Sequence, residues 1–368
     1  FACLPRVALS MSTPDTALPG VPLRTSQPAR GLRGPLRLTA TAFLPVCIAA
    51  LAAMTIGRYP LSIADLFDFI GASLGLVDMP QDRYRLLFNV VVQIRLPRVA
   101  AAVLVGAALA SSGAAYQSVF RNPLVSPGLL GVLAGAAFGA ALGIVVGLPW
   151  AVVQVISFAF GGLAVFVALG VGNLFGRASL ITLVLGGVIS TALFSSLLSM
   201  VKYVADPYNQ LPTIVYWLMG SLANAELGQI GWFAIPIALG VAALALLGRA
   251  LDALSMGDDE ALAMGVPVVP VRYAVIGIAT LLSALTVSIV GMIGWVGLVV
   301  PHIARLAIGP GNARLLPVAA SLGAAFVLVA DAIARTATTA EIPIGIVTEL
   351  IGIPAFLLVL RRARRGWA

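Results

Sequence analysis

Residues 128–147 read GLLGVLAGAAFGAALGIVVG, and residues 151–171 read AVVQVISFAFGGLAVFVALGV. Neither stretch holds a charged side chain. Each is about the 20 apolar residues that a helix needs to cross the roughly 30 Å hydrocarbon core of a bilayer. Inside lipid every backbone N–H and C=O must find a partner within the protein, which a helix provides for itself. The many Gly and Ala residues let such helices approach closely, because packing holds helices together in lipid.

Working outward, similar runs fall at about 38–57, 97–115, 179–201, 229–248, 271–291, 295–308, 315–333 and 344–360. The expected fold is therefore all-α and integral to the membrane, with about ten transmembrane helices. The run at 295–308 is short and holds Pro301, so it is expected to be a partial or kinked span shielded by its neighbours. Composition agrees. The chain of 368 residues is 60% hydrophobic and 10% charged, against roughly 25% charged in soluble proteins. Mean hydropathy is +1.06.

An even number of spans puts both termini on one side. Placing that side in the cytoplasm leaves outside only Arg58, Arg83, Arg85, Arg95, Arg98, Lys202 and Arg335 of the 22 basic residues, which satisfies the positive-inside tendency. The net charge of +8 is then a membrane-orienting charge. It forms no basic stripe with aromatic platforms, so no nucleic-acid partner is expected. Cys3 and Cys47 suggest neither a disulfide framework nor a metal site, and a single histidine, His302, excludes a multi-histidine centre.

Residues 1–36 are rich in Pro, Arg, Ser and Thr and are read as a disordered cytoplasmic tail. They lack the apolar core of a secretory signal, and Met11 is a second candidate for the first residue. The spanning domain is expected over 37–362, with a basic tail over 363–368. Residues 58–94 form an outside segment able to carry short amphipathic helices. Residues 203–226 form another, with an interfacial helix expected over 214–222. The longest inside loop, 249–269, carries Asp258-Asp259-Glu260 before Ala261-Leu262-Ala263-Met264-Gly265. Acidic residues in a first turn and a closing Gly describe a short capped helix. An ordinary solvated helix and a docking helix both fit that pattern.

A series of motifs in order resembles the FecCD family, the permeases of ABC importers for iron-siderophores, haem and cobalamin. They begin with Arg95-Leu96-Pro97-Arg98 followed by Val105-Gly106-Ala107-Ala108-Leu109 and Ser112-Gly113. Asn122-Pro123-Leu124 and Pro127-Gly128-Leu129-Leu130-Gly131 come next. Tyr216-Trp217-Leu218-Met219-Gly220-Ser221, Ala263-Met264-Gly265-Val266 and Gly294-Trp295-Val296-Gly297-Leu298-Val299-Val300-Pro301-His302 follow. Ala330-Asp331 with Arg335, and Pro343-Ile344-Gly345-Ile346-Val347-Thr348, complete the series.

The resemblance covers about residues 40–362. It implies a cobalamin-importer-like fold of ten spans per subunit, acting as a homodimer in the bacterial inner membrane. The partners it implies are two copies of a cytoplasmic ABC ATPase and a periplasmic substrate-binding protein. ATP and Mg would be used by the ATPase. This chain is expected to bind no cofactor or metal itself: it has no phosphate-cradling Gly-x-x-x-x-Gly-Lys-Ser/Thr loop and only one lysine, Lys202.

The same resemblance assigns roles to residues. Arg95, Arg98 and Arg335 are expected to receive acidic groups of the binding protein. The alternative is snorkelling to lipid phosphate. Asp331 stands four residues before Arg335, so the two share a helix face and can pair. Asp258, Asp259, Glu260, Ala263 and Gly265 match the region that couples to the ATPase. Leu124 and Ser179 match a cytoplasmic gate, with ordinary helix-end packing as the alternative. His302 lies in a motif shared across cargoes, which favours a structural role over haem ligation. Glu349, about one and a half turns into the last helix, departs from the family pattern and is a candidate for the pathway mouth, with simple burial as the alternative.

The expected function is transport of a metal chelate. An oxyanion such as molybdate is an alternative cargo. A secondary transporter is the alternative class, and it would place ionisable groups near the bilayer midplane.

Overall fold

The computed structural model describes residues 33–174 and 179–364, with side chains over 43–174 and 179–361. The expected N-terminal tail lies outside the described residues up to 32, and the expected C-terminal tail lies outside them from 365. The described residues contain helices and no strands.

Fifteen α-helices follow one another in the order α1 (Arg33–Thr55), α2 (Ile63–Ser73), α3 (Gln81–Phe88), α4 (Leu96–Val119), α5 (Val132–Val146), α6 (Trp150–Leu174), α7 (Leu180–Val204), α8 (Gln210–Leu218), α9 (Leu227–Leu246), α10 (Gly248–Met256), α11 (Asp258–Ala263), α12 (Val268–Val290), α13 (Val296–Ile308), α14 (Asn312–Thr336) and α15 (Ile344–Arg364). Among the described residues seven helical segments are long and apolar enough to cross a membrane, and three shorter apolar helices, at Phe43–Thr55, Val132–Val146 and Val296–Ile308, join them. Together they account for the ten expected runs. α1 begins at Arg33, inside the expected tail.

α4 is the central post. Most of its residues from Ala101 to Val119 are buried, and it packs against α9, α12, α13 and above all α14. Small residues make these approaches possible. A Cβ on Gly106 would lie 2.2 Å from the Gly323 carbonyl oxygen, and one on Gly113 would lie 1.8 Å from that of Gly297. Helix backbones therefore touch directly at both points. α5, α6 and α7 form a second packed group beside this post.

α4 does not start at the membrane edge. A π-helical stretch over Asn89–Arg95 joins α3 to α4, giving one continuous helix over Gln81–Val119. At 1.5 Å per residue that is about 58 Å, so its first part lies beyond the hydrocarbon. Residues 58–94, the segment expected outside, do carry short helices. α2 is started by a capping box in which the Ser62 hydroxyl accepts from the Asp65 N–H and the Asp65 carboxylate accepts from the Ser62 N–H.

Two boundaries differ from expectation. The helix expected at the interface runs over Gln210–Leu218, four residues earlier than expected. Pro212 sits in its first turn, where a missing N–H costs nothing, and Gly220 (φ +74°) ends it. α13 is a half-length helix with Pro301 inside, as expected. It follows a non-helical break at 291–295 in which Trp295 adopts a left-handed conformation (φ 67°).

Candidate functional site: charged clusters at the two ends of the bundle

Charges concentrate at the helix ends. At the end where α1 stops and α4 and α15 start, five ionisable side chains lie together, four of them buried and Glu341 part-exposed. Arg98, in the first turn of α4, donates to Asp331 of α14 from Nη2 at 2.8 Å and from Nε at 3.2 Å. Its Nη1 reaches both carboxylate oxygens of Glu341, in the α14–α15 connection, at 2.9 and 3.0 Å. Asp331 Oδ2 lies 3.0 Å from Arg335 Nε, the expected pair one helical turn apart. Arg335 also donates to the Ala53 carbonyl at 3.2 Å, and Arg95 donates to the Met54 and Tyr59 carbonyls.

Arg95, Arg98 and Arg335 are 3%, 6% and 6% exposed. The sequence reading presents them outward as docking groups. The structure instead turns them into the protein. Guanidinium charge is too costly to leave in apolar surroundings without partners. Here Asp331, Glu341 and the carbonyls ending α1 supply those partners. The cluster ties α1, α4, α14 and the α14–α15 connection together. The sequence reading missed Arg98–Asp331 and Glu341, because no spacing rule links residues more than 230 positions apart.

A cavity of about 590 Å³ opens at the same end, among Gln93, Tyr216, Asn224, Glu226 and Gln229. Nearby, Glu349 is exposed. It lines a smaller recess with Met219, Met292 and Gly294.

The opposite end carries α10 and α11. Gly257 separates them at φ +154°, and a Cβ there would lie 1.8 Å from the Glu260 carboxylate. Asp258, the first residue of α11, accepts from Arg121 at 3.0 Å and from Arg272 at 2.7 Å. The Arg272 hydrogen bond, strengthened by both guanidinium charges, holds the Asp258 carboxyl below its ordinary pKa against the opposing effect of partial burial. Ala261 is fully buried and anchors the helix. Asp259, Glu260, Ala263 and Gly265 are exposed, and so are the apolar side chains of Met256, Leu262 and Met264. α11 thus shows solvent a face that mixes acids with large apolar groups.

Leu124 and Ser179 are exposed at this same end. Leu124 follows a turn in which its N–H donates to the Asn122 side chain at 2.9 Å. Ser179 caps α7 by accepting from the Thr182 N–H. His302 Nδ1 bonds the Leu298 carbonyl at 2.9 Å, and its ring stands edge-on to Phe356. Those contacts fit a helix-packing role.

Comparison with known proteins extends this picture. The sequence model of the FecCD transport family matches residues 45–362. The chain is 39% identical over 325 residues to the molybdate import system permease protein MolB of Haemophilus influenzae, covering 88% of this chain and 95% of that one. It is 38% identical over 287 residues to the hemin transport system permease protein HmuU of Yersinia pestis, covering 76% and 85%. A solved structure of a metal-chelate type ABC transporter in an inward-facing conformation superposes with a TM-score of 0.79. Identity there is 37%, and 89% of this chain and 99% of that one are covered.

Proposed function

The chain belongs to the FecCD transport family, and from that premise we propose that it is the multi-pass permease subunit of an ABC importer that moves a metal chelate of the iron-siderophore, haem or cobalamin kind into the cytoplasm. The observation that carries this reading is the likeness along nearly the whole chain to a metal-chelate type ABC transporter, together with the hemin permease among its relatives.

In the proposal the subunit works as a homodimer in the bacterial inner membrane, with both termini in the cytoplasm. A separate ATPase hydrolyses ATP with Mg. Its motion reaches the membrane through α11, with Asp258, Asp259, Glu260, Ala263 and Gly265 in the contact and the exposed Leu262 and Met264 as its apolar centre. Contact between folded elements is what such coupling requires. Support comes from the rigid mounting of α11 on Arg121 and Arg272. Leu124 and Ser179 close the pathway at that end by packing and dewetting. At the other end a periplasmic binding protein docks. Because Arg95, Arg98 and Arg335 are engaged within the chain, their proposed part is to hold the docking rim in shape, and they meet the partner's acids only if the cluster opens.

A second reading, permease for an oxyanion such as molybdate, is favoured by the extent of the similarity to MolB. The experiment that separates the two is to isolate the cognate binding protein and measure its affinity for haem, a ferric siderophore, cobalamin and molybdate. Tight binding of molybdate alone would favour the second reading.

A further inference from the structure

Between α4, α13, α14 and α15, at the end of the bundle that carries α11, lies a cavity of about 690 Å³. Pro123, Leu124, Pro310 and Leu360 form its apolar walls, and polar side chains that include Arg121, His302 and Arg305 line the rest. Arg305 is half-buried in the last turn of α13. Its Nη1 donates to the Gln117 side chain, and no carboxylate lies within ion-pair distance of it among the described residues.

Arg95 likewise faces no carboxylate among the described residues but is fully buried, whereas Arg305 borders an open space; Arg121, which also lines the cavity, is exposed. Arg98 and Arg335 share Asp331. Arg121 and Arg272 share Asp258. Arg95 is held by two backbone carbonyls. A guanidinium has five N–H donors in a planar fork that matches a phosphate or carboxylate. Arg305 places that fork at the membrane end of a helix, beside an open, apolar-walled space. A free hydrated anion gains nothing from apolar walls. A glycerophospholipid uses both features, with its phosphate on the guanidinium and its acyl chains along the leucines and prolines. Basic pockets between membrane helices are known to hold anionic headgroups in this way.

We propose that this cavity binds an anionic glycerophospholipid, with Arg305 holding the phosphate and the walls at Pro310 and Leu360 holding the acyl chains.

The test uses the full-length permease purified in a neutral detergent. Phosphatidylglycerol, phosphatidylcholine and inorganic phosphate are titrated in separately, and bound lipid is counted by native mass spectrometry. Phosphatidylglycerol is expected to bind at one tight site per subunit and phosphatidylcholine only weakly. R305Q should weaken phosphatidylglycerol binding roughly five- to ten-fold, the scale of one arginine–phosphate attraction at a membrane surface. R305K should retain part of it, which guards against a folding defect. R85Q, at the opposite end of the bundle, should change nothing. Equal binding of both lipids, or unchanged binding in R305Q, would overturn the proposal. So would inorganic phosphate competing at the same site, which would make it a free-anion site. Loss of ATPase-subunit binding in R305Q with lipid binding intact would assign the surface to that protein instead.

Discussion

Arg98 and Asp331 stand 233 residues apart in sequence and meet through two nitrogens on one carboxylate oxygen, at 2.8 and 3.2 Å, in a site where both are buried. This contact fixes the register of α4 against α14, the most extensive helix pairing in the fold. Asp331 is also the carboxylate that Arg335 faces. Removing it leaves two buried guanidiniums sharing only Glu341 and carbonyl oxygens.

D331N is therefore expected to destabilise the protein by about 3–5 kcal/mol, the scale of breaking a buried pair from one side. Thermal unfolding of the purified protein in detergent measures it. R98M combined with D331M should recover part of the loss, since neither charge is then stranded. A D331N variant as stable as the parent would show that the cluster contributes nothing to the fold.

The Gly113–Gly297 crossing predicts a second stability effect. A methyl group at Gly113 would sit 1.8 Å from a backbone carbonyl, which forces α4 and α13 apart. G113A is expected to cost about 1–3 kcal/mol, the overpacking range. At Gly277, where a Cβ meets nothing within 4 Å, the same substitution should be neutral or slightly favourable. The two are compared by their unfolding temperatures.

Acid should loosen α11 before it loosens the bundle. The folded-state pKa of Asp258 is depressed, so its contribution is fully present above the ordinary carboxylate value of 3.8 and is lost as pH falls through the lower folded value. Partial exposure of the pair keeps the effect modest. Hydrogen exchange of the 258–264 amides should report constant protection from pH 8 to pH 5 and falling protection below about pH 4. D258N should remove that pH dependence. Protection in D258N that still falls at acid pH would place its origin elsewhere.

The docking face of α11 predicts a separation of binding from folding. L262D changes an exposed side chain, so its unfolding temperature should match the parent. Its affinity for the ATPase subunit should drop about ten-fold or more, as expected for an apolar group at an interface centre. Gly265 is a less informative position for this purpose, because its φ of +78° makes any side chain there strained. Pull-down with the purified ATPase checks the prediction, and full binding by L262D would remove α11 from the contact.

What the sequence made legible follows from the range of each signal. Membrane helices announce themselves through runs of apolar residues, so all ten runs were readable. Asp331 and Arg335 pair within one helix, and the i, i+4 rule exposed them. Pro212 hid the true start of α8, because its effect depends on whether it falls in the first turn. The burial of Arg95, Arg98 and Arg335 was invisible for a deeper reason. It depends on where Ala53, Met54, Tyr59 and Glu341 lie in space, and nothing local in the sequence sets those distances. That Arg305 meets no carboxylate among the described residues is equally a property of the folded chain.

The measurement that bears most directly on the central claim is uptake by proteoliposomes holding the permease with its ATPase, with the cognate binding protein outside. Haem, a ferric siderophore, cobalamin and molybdate are each supplied in labelled form. The predicted result is accumulation of one metal chelate that requires ATP and Mg and survives collapse of the proton and sodium gradients. Uptake that proceeds without ATP and follows an ion gradient would contradict the account.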